Sequence, residues 1–163
     1  MKRWQVAGGV LEHDGRVLLV ENQRRGGASD WSPPGGVVDP GETLLSALSR
    51  EVVEETGLTV SVWERHLYCV TVEAPDMEWT MSADIHLAAS HSGEIAIDDP
   101  DQIVTQARWV DRSESAQLME ASPQWLREPF SAWVDDPWST GTRRFRYRVT
   151  GTDRASFRVN RTD

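Results

Sequence analysis

The chain has 163 residues, of which 39 % are hydrophobic and 26 % charged, with a net charge of −9. That length suits one domain burying roughly two thirds of its unfolded surface, and the apolar content excludes wholesale disorder. No apolar run nears the roughly 18 residues of a membrane span and the first residues lack a signal-peptide pattern, so the sequence predicts a cytoplasmic protein with no membrane partner, and a lone cysteine, Cys69, agrees with a reducing compartment.

The charge is uneven. Residues 141–163 hold seven arginines against two aspartates, a net +5, which leaves −14 on the first 140 residues. An acidic body opposes long-range attraction of a polyanion, so nucleic acid is not an expected partner.

Residues 4–11 and 16–20 are rich in strand formers and flank the turn signal His13-Asp14-Gly15, which reads as a hairpin. A loop rich in Arg and Gly follows at 21–30. In Trp31-Ser32-Pro33-Pro34-Gly35-Gly36 two prolines remove amide donors, which predicts a tight non-helical segment. Residues 43–56 form the clearest helix, with Thr43 as N-cap, Glu42 at the positive end of the helix dipole and Gly57 as its stop. Leu45, Leu48 and Val52 predict its buried stripe, while Glu51, Glu54 and Glu55 fall on a neighbouring face. Strands are expected over 58–72 and 79–88 around a polar turn, then an acidic loop, a strand over 103–110, and a helical region over 113–134 interrupted by Pro123 and Pro129. In the basic tail Phe145, Tyr147 and Val149 alternate with Arg144, Arg146 and Arg148, the period of a strand with one buried face.

Three glutamates at i, i+3 and i+4 repel one another on a helix, each close pair costing a few tenths of a kcal/mol, and Arg50 is the sole basic residue of 43–56. A cluster so poorly compensated points to a cation, and hard carboxylate oxygens select Mg²⁺ or Mn²⁺ over zinc or copper. The turn ahead of the helix can add a backbone carbonyl. Because Mg²⁺ commonly bridges carboxylates to substrate phosphates, the pattern suits hydrolysis of a diphosphate.

Gly36, Glu42 and the run Arg50-Glu51-Val52-Val53-Glu54-Glu55-Thr56-Gly57-Leu58 match in full the signature of the MutT-like Nudix hydrolases, Gly-x5-Glu-x7-Arg-Glu-U-x-Glu-Glu-x-Gly-U with U aliphatic. The chain therefore resembles that family. The resemblance implies an α/β fold, an α/β/α sandwich with a mixed β-sheet and the signature as loop–helix–loop, in one domain over 1–163 with its core at 1–120 and a Trp- and Arg-rich extension at 121–163. It implies Glu51, Glu54, Glu55 and the Gly36 carbonyl as metal ligands, and Arg50 paired with Glu42 so that Glu51 is aimed correctly. The general base is either Glu51 or an acid outside the signature, among Glu94, Asp98, Asp99 and Asp101. Arg24 and Arg25 are candidate phosphate contacts and Trp31 a candidate stacking partner for a nucleobase. Their plainer readings are a solvated loop and one of eight tryptophans filling the core.

The implied reaction is metal-assisted attack of water on phosphorus in a nucleoside diphosphate linked to X, a class that spans nucleoside triphosphates, nucleotide sugars and ADP-ribose. A non-catalytic module of the same fold that senses nucleotides or binds proteins is the alternative, and the complete signature argues against it. A homodimer is compatible with the resemblance, with Trp125, Trp133 and Trp138 offering apolar surface. The plainer reading is that these three pack against their own sheet.

Overall fold

The computed structural model describes residues 1–163. Its strands are β1 (Lys2–Val10), β2 (Glu12–His13), β3 (Arg16–Gln23), β4 (Ser29–Ser32), β5 (Gly35–Val37), β6 (Trp63–Ala74), β7 (Trp79–Ala88), β8 (Val104–Asp111), β9 (Arg143–Thr150) and β10 (Arg158–Arg161). The helices are α1 (Leu44–Thr56), α2 (Arg112–Leu118) and α3 (Gln124–Asp135). A six-stranded mixed sheet runs β10-β9-β6-β7-β1-β5, with β1–β7 and β6–β9 parallel. A smaller antiparallel sheet joins β2, β3 and β4, with β8 on the other edge of β3. Helix α1 packs on β1, β5 and β8, and α3 packs on β6 and β9. The result is an α/β fold with helices against a mixed sheet.

Two apolar clusters hold these layers. The larger gathers Leu67, Val70, Val72, Phe130, Trp133, Phe145, Tyr147 and Val149, and the smaller gathers Ala7, Leu11, Leu18, Leu48, Val52 and Leu58. The expected pairing of 4–11 with 16–20 is not what forms. β1 lies in the large sheet between β5 and β7, while β2 takes over the pairing with β3. The cause is visible at Val10 and Leu11, consecutive residues that are both buried but in different clusters, so the chain changes sheets there. A strand with one buried face would have exposed one of them.

Leu45 also departs from expectation. It is 40 % exposed, whereas Ala47, Leu48, Glu51, Val52 and Glu55 are buried. The sheet and the 92–99 loop cover the C-terminal half of α1, where Ala96 N donates to Thr56 O at 2.9 Å and Asp98 N to Glu54 O at 3.0 Å, and the first turn stays outside this cover. Pro123 bounds the helical region as expected, standing at the N-cap of α3, but Pro129 does not interrupt α3. Proline forfeits one helical hydrogen bond. Here it is itself buried beside Phe130, Trp133 and Val134, and that packing keeps the helix continuous.

The tail alternates as its sequence predicts: Phe145, Tyr147 and Val149 are buried and Arg144, Arg146 and Arg148 exposed. The three tryptophans of the 121–163 extension are used within the chain. Trp133 is 3 % exposed, Trp125 packs against the large cluster, and Trp138 Nε1 donates to Leu67 O at 2.9 Å.

Candidate active site

Helix α1 is fixed at both ends. Thr43 Oγ1 accepts from Ser46 N at 3.2 Å, satisfying an amide that has no partner within the helix. Gly57 closes the other end at φ 80°, a left-handed conformation, and its N donates to Val53 O at 2.8 Å. A Cβ there would also lie 2.6 Å from Ala96 N and O, so the stop signal doubles as the seat for the acidic loop.

This placement presents Glu51, Glu54 and Glu55 to one cavity of about 730 Å³, walled by β1, β5, β6, β7 and the 99–103 segment and closed by Trp125 and Leu126 of α3. Gly36 faces Glu51 so closely that a Cβ would lie 2.6 Å from its Cδ and Oε1. The signature glycine is thus the space in which the Glu51 carboxylate sits. Gly35 N donates to Glu55 Oε2 at 3.1 Å. Both Glu51 and Glu55 are 8 % exposed. Burial pushes both carboxyls above their ordinary range, Glu51 against the opposing pull of Arg50, and Glu55 up to about 8.

Arg50 binds the acidic residues together. Its Nε and Nη2 donate to the two Glu42 oxygens at 2.8 and 3.0 Å, a bidentate pair, and its Nη1 donates to Glu51 Oε1 at 3.0 Å and Glu54 Oε2 at 3.2 Å. That guanidinium holds the Glu42 carboxyl below its usual range. One cation shared by three glutamates leaves Glu55 with no cationic partner, and Glu51 and Glu54 with one guanidinium nitrogen between them. Such a set of hard oxygens fits a divalent cation. The side chains as placed do not gather three ligands around a single point, so the fit rests on donor chemistry and burial.

Of the acids outside the helix, Asp99 and Asp101 line the cavity, while Glu94 and Asp98 do not. Asp99 is occupied: its oxygens accept from the amides of Asp101, Ile103 and Val104 at 3.1, 2.9 and 2.9 Å. Asp101 makes no such bonds through its side chain and contributes to the electrostatic field at Glu51.

Arg24 reaches the cavity wall with its Nε and Nη2 on the Asp30 oxygens at 2.8 and 2.9 Å. Arg25 is exposed and borders a neighbouring recess instead. Trp31 does not reach the cavity. In the β3–β4 register Asp30 and Ser32 flank it and point the other way, and its ring is buried with Arg108 5.5 Å from the centroid. The alternation of a strand excludes Trp31 from the face that its neighbours share.

The structure adds residues that the sequence reading missed. Asn22 is buried and donates through Nδ2 to Asp30 Oδ1 at 3.1 Å and Ser32 Oγ at 2.9 Å, forming a polar floor next to Arg24. Its signal is the cross-strand register of a tight hairpin around 24–28, where a loop was expected. Trp125 and Leu126 belong to the 121–163 extension, yet both line the cavity.

A sequence model of the NUDIX domain matches residues 1–134. The chain belongs to the NUDIX family. An oxidized purine nucleoside triphosphate hydrolase from Danio rerio is 33 % identical over 131 residues, covering 78 % of this chain and 70 % of the relative. A CTP pyrophosphohydrolase from Escherichia coli is 31 % identical over 100 residues, covering 54 % of this chain and 74 % of the relative. Among solved structures, a MutT NUDIX hydrolase from Burkholderia pseudomallei superposes with a TM-score of 0.60 at 28 % identity, over 69 % of this chain and 86 % of that one. A MutT protein from Bacillus halodurans gives 0.66 at 22 % identity over 96 % and 97 %, which speaks to the fold. As a Nudix hydrolase the chain acts on nucleoside diphosphate-linked compounds, and its matched region runs through α3, past residue 120. None of its helices is long and apolar enough to cross a membrane.

Proposed function

We propose that this Nudix hydrolase is a Mg²⁺- or Mn²⁺-dependent pyrophosphohydrolase of a nucleoside triphosphate or another nucleoside diphosphate linked to X. The observation that carries the reading is the pair of buried carboxylates, Glu51 and Glu55, set beneath Gly35 and Gly36 on the wall of a cavity large enough for a nucleotide. Glu51, Glu54, Glu55 and the Gly36 carbonyl would hold the ion, which supplies Lewis-acid neutralisation of phosphoryl oxygens when bound.

The rest is the work of the chain. Arg50 fixes Glu51 and Glu54 through its own clamp on Glu42, and so positions them rather than touching substrate. Gly36 keeps open the volume that the Glu51 carboxylate needs. Glu51 or Asp101 takes the proton of the attacking water, Asp101 because its oxygens, unlike those of Asp99 beside it in the cavity, are not engaged by backbone amides. Arg24, held by Asp30, offers its remaining N–H to a phosphate. Tyr68, Val70, Ile85, Trp125 and Leu126 form the apolar part of the cavity, suited to a nucleobase.

A panel of nucleoside triphosphates and nucleoside diphosphate sugars, assayed with Mg²⁺ for phosphate and pyrophosphate release, tests this. At least one member is expected to be hydrolysed, and Glu54→Gln abolishes that turnover. Nucleotide binding without turnover across the panel, or equal rates in wild type and Glu54→Gln, would overturn it in favour of a sensing module.

A further inference from the structure

The excess of arginine in the tail has one member in an unusual place. Beside the main cavity lies a second recess of about 490 Å³ lined by Gln23, Arg24, Arg25, Asp101, Ile103 and Arg154. It shares Arg24, Asp101 and Ile103 with the main cavity, so the two are continuous along the Asp101 segment. Three arginines and one aspartate thus line a small opening. Carboxylates pair with Arg16, Arg24, Arg50, Arg112, Arg148 and Arg161, but not with Arg25 or Arg154. Arg24 is already paired with Asp30, so Arg25 and Arg154 are the two cations of the recess without a carboxylate on them, and an anionic ligand there would supply a counter-charge.

Arg154 comes from the β9–β10 turn, more than a hundred residues from Arg24, and the turn is braced. Asp153 Oδ1 accepts from Ala155 N at 2.9 Å and Ser156 N at 3.0 Å, and its Oδ2 accepts from Ser156 Oγ at 2.7 Å. Gly151 N donates to Asp76 Oδ2 at 2.8 Å. Phe157 lies against Trp125, ring centroids 6.4 Å apart, and Trp125 is itself a wall of the main cavity. The turn is thereby tied at one end to the β6–β7 connection and at the other to the nucleotide cavity.

We infer that this recess, completed by Arg154 of the C-terminal hairpin together with Arg25, takes a phosphate beyond the scissile diphosphate and so selects nucleoside triphosphates over nucleotides whose X is an uncharged sugar. This rests on the proposed hydrolase reading for the direction in which the substrate lies. With the diphosphate beside Glu51 and the base in the apolar cavity, a further phosphate extends past Asp101 to the three arginines. Each charge-assisted hydrogen bond it gains there is lost to a neutral sugar.

Two measurements separate the inference from the reading beneath it. In steady-state kinetics on the best triphosphate, Arg154→Ala is expected to raise KM about tenfold with kcat little changed, Arg25→Ala to do likewise, and Arg154→Lys to recover part of the loss. Arg158→Ala, which removes an exposed arginine of β10 outside the recess, serves as the control for charge alone. Calorimetric titration with inorganic tripolyphosphate and pyrophosphate needs no turnover. Wild type is expected to prefer tripolyphosphate, and Arg154→Ala to lose most of that preference. If no nucleotide is hydrolysed but Arg154→Ala still removes the tripolyphosphate preference, the recess stands and the enzymatic reading falls. If triphosphates are hydrolysed while Arg154→Ala matches Arg158→Ala in both KM and tripolyphosphate binding, the recess assignment is overturned.

Discussion

The α1 wall and the C-terminal strands both carry dense charge, of opposite sign, and they treat it in opposite ways. On α1 the carboxylates of Glu51 and Glu55 are buried, Arg50 reaches Glu51 but not Glu55, and burial together with their mutual repulsion raises their affinity for protons. On β9 Arg144, Arg146 and Arg148 face water while Phe145, Tyr147 and Val149 form the core, so the charge there has little to do with stability. The difference teaches that burial of charge, more than its amount, marks where the molecule gives up stability for chemistry. Arg154 is the tail residue to which this contrast does not apply, because the β9–β10 turn carries it back to the acidic region.

The sharpest way to break the contrast is at Glu51. Replacement by Gln keeps the shape and removes a buried charge, so kcat is expected to fall on the order of 10²–10⁴-fold while the folded protein persists, checked by product release and circular dichroism. In the tail the effect runs the other way. Phe145→Ala empties a site that is 4 % exposed and costs about 3–5 kcal/mol of stability, measured by denaturant unfolding.

Glu55→Gln gives a smaller effect that depends on pH. In the metal-free protein the folded state holds a proton on Glu55 up to about pH 8, whereas the unfolded chain releases it near 4.5. A group whose folded pKa is raised contributes stability that is full below the unfolded value and is lost as pH rises to the folded value. Thermal unfolding of wild type is therefore expected to weaken between about pH 4.5 and 8, and Glu55→Gln to flatten that slope and raise the Tm by a few degrees at pH 8. Equal slopes would contradict the burial account. Smallest of all, Arg144→Ser should shift stability by no more than about 0.5 kcal/mol, since its side chain lies on the exposed face of β9.

Where local chemistry decides, the sequence was readable. The bounds of α1, its Thr43 cap and Gly57 stop and the alternation of β9 follow from neighbours within a few residues, whereas the pairing of Arg50 with Glu42 is implied by the family resemblance, and the structure has them all. What stayed hidden depends on long-range register. The step of the chain between sheets at Val10 and Leu11 needs two cores to be known at once. His66 and His86 are scattered in sequence, yet the β6–β7 pairing stacks their rings 4.6 Å apart. Trp31 and Asp30 differ by one position and lie on opposite faces, a choice fixed by a hairpin register that a loop reading cannot supply. Arg154 shares a recess with Asp101 only because two strands return the chain across the sheet.

The central claim is that Glu51, Glu54 and Glu55 form a divalent-cation site on the wall of a nucleotide cavity. Titration of Mn²⁺ into wild type and Glu51→Gln, with free Mn²⁺ followed by electron paramagnetic resonance, tests it most directly. The account predicts saturable binding in wild type that weakens at least tenfold in Glu51→Gln; equal affinity in the two proteins, or none in wild type with nucleotide present, would contradict it.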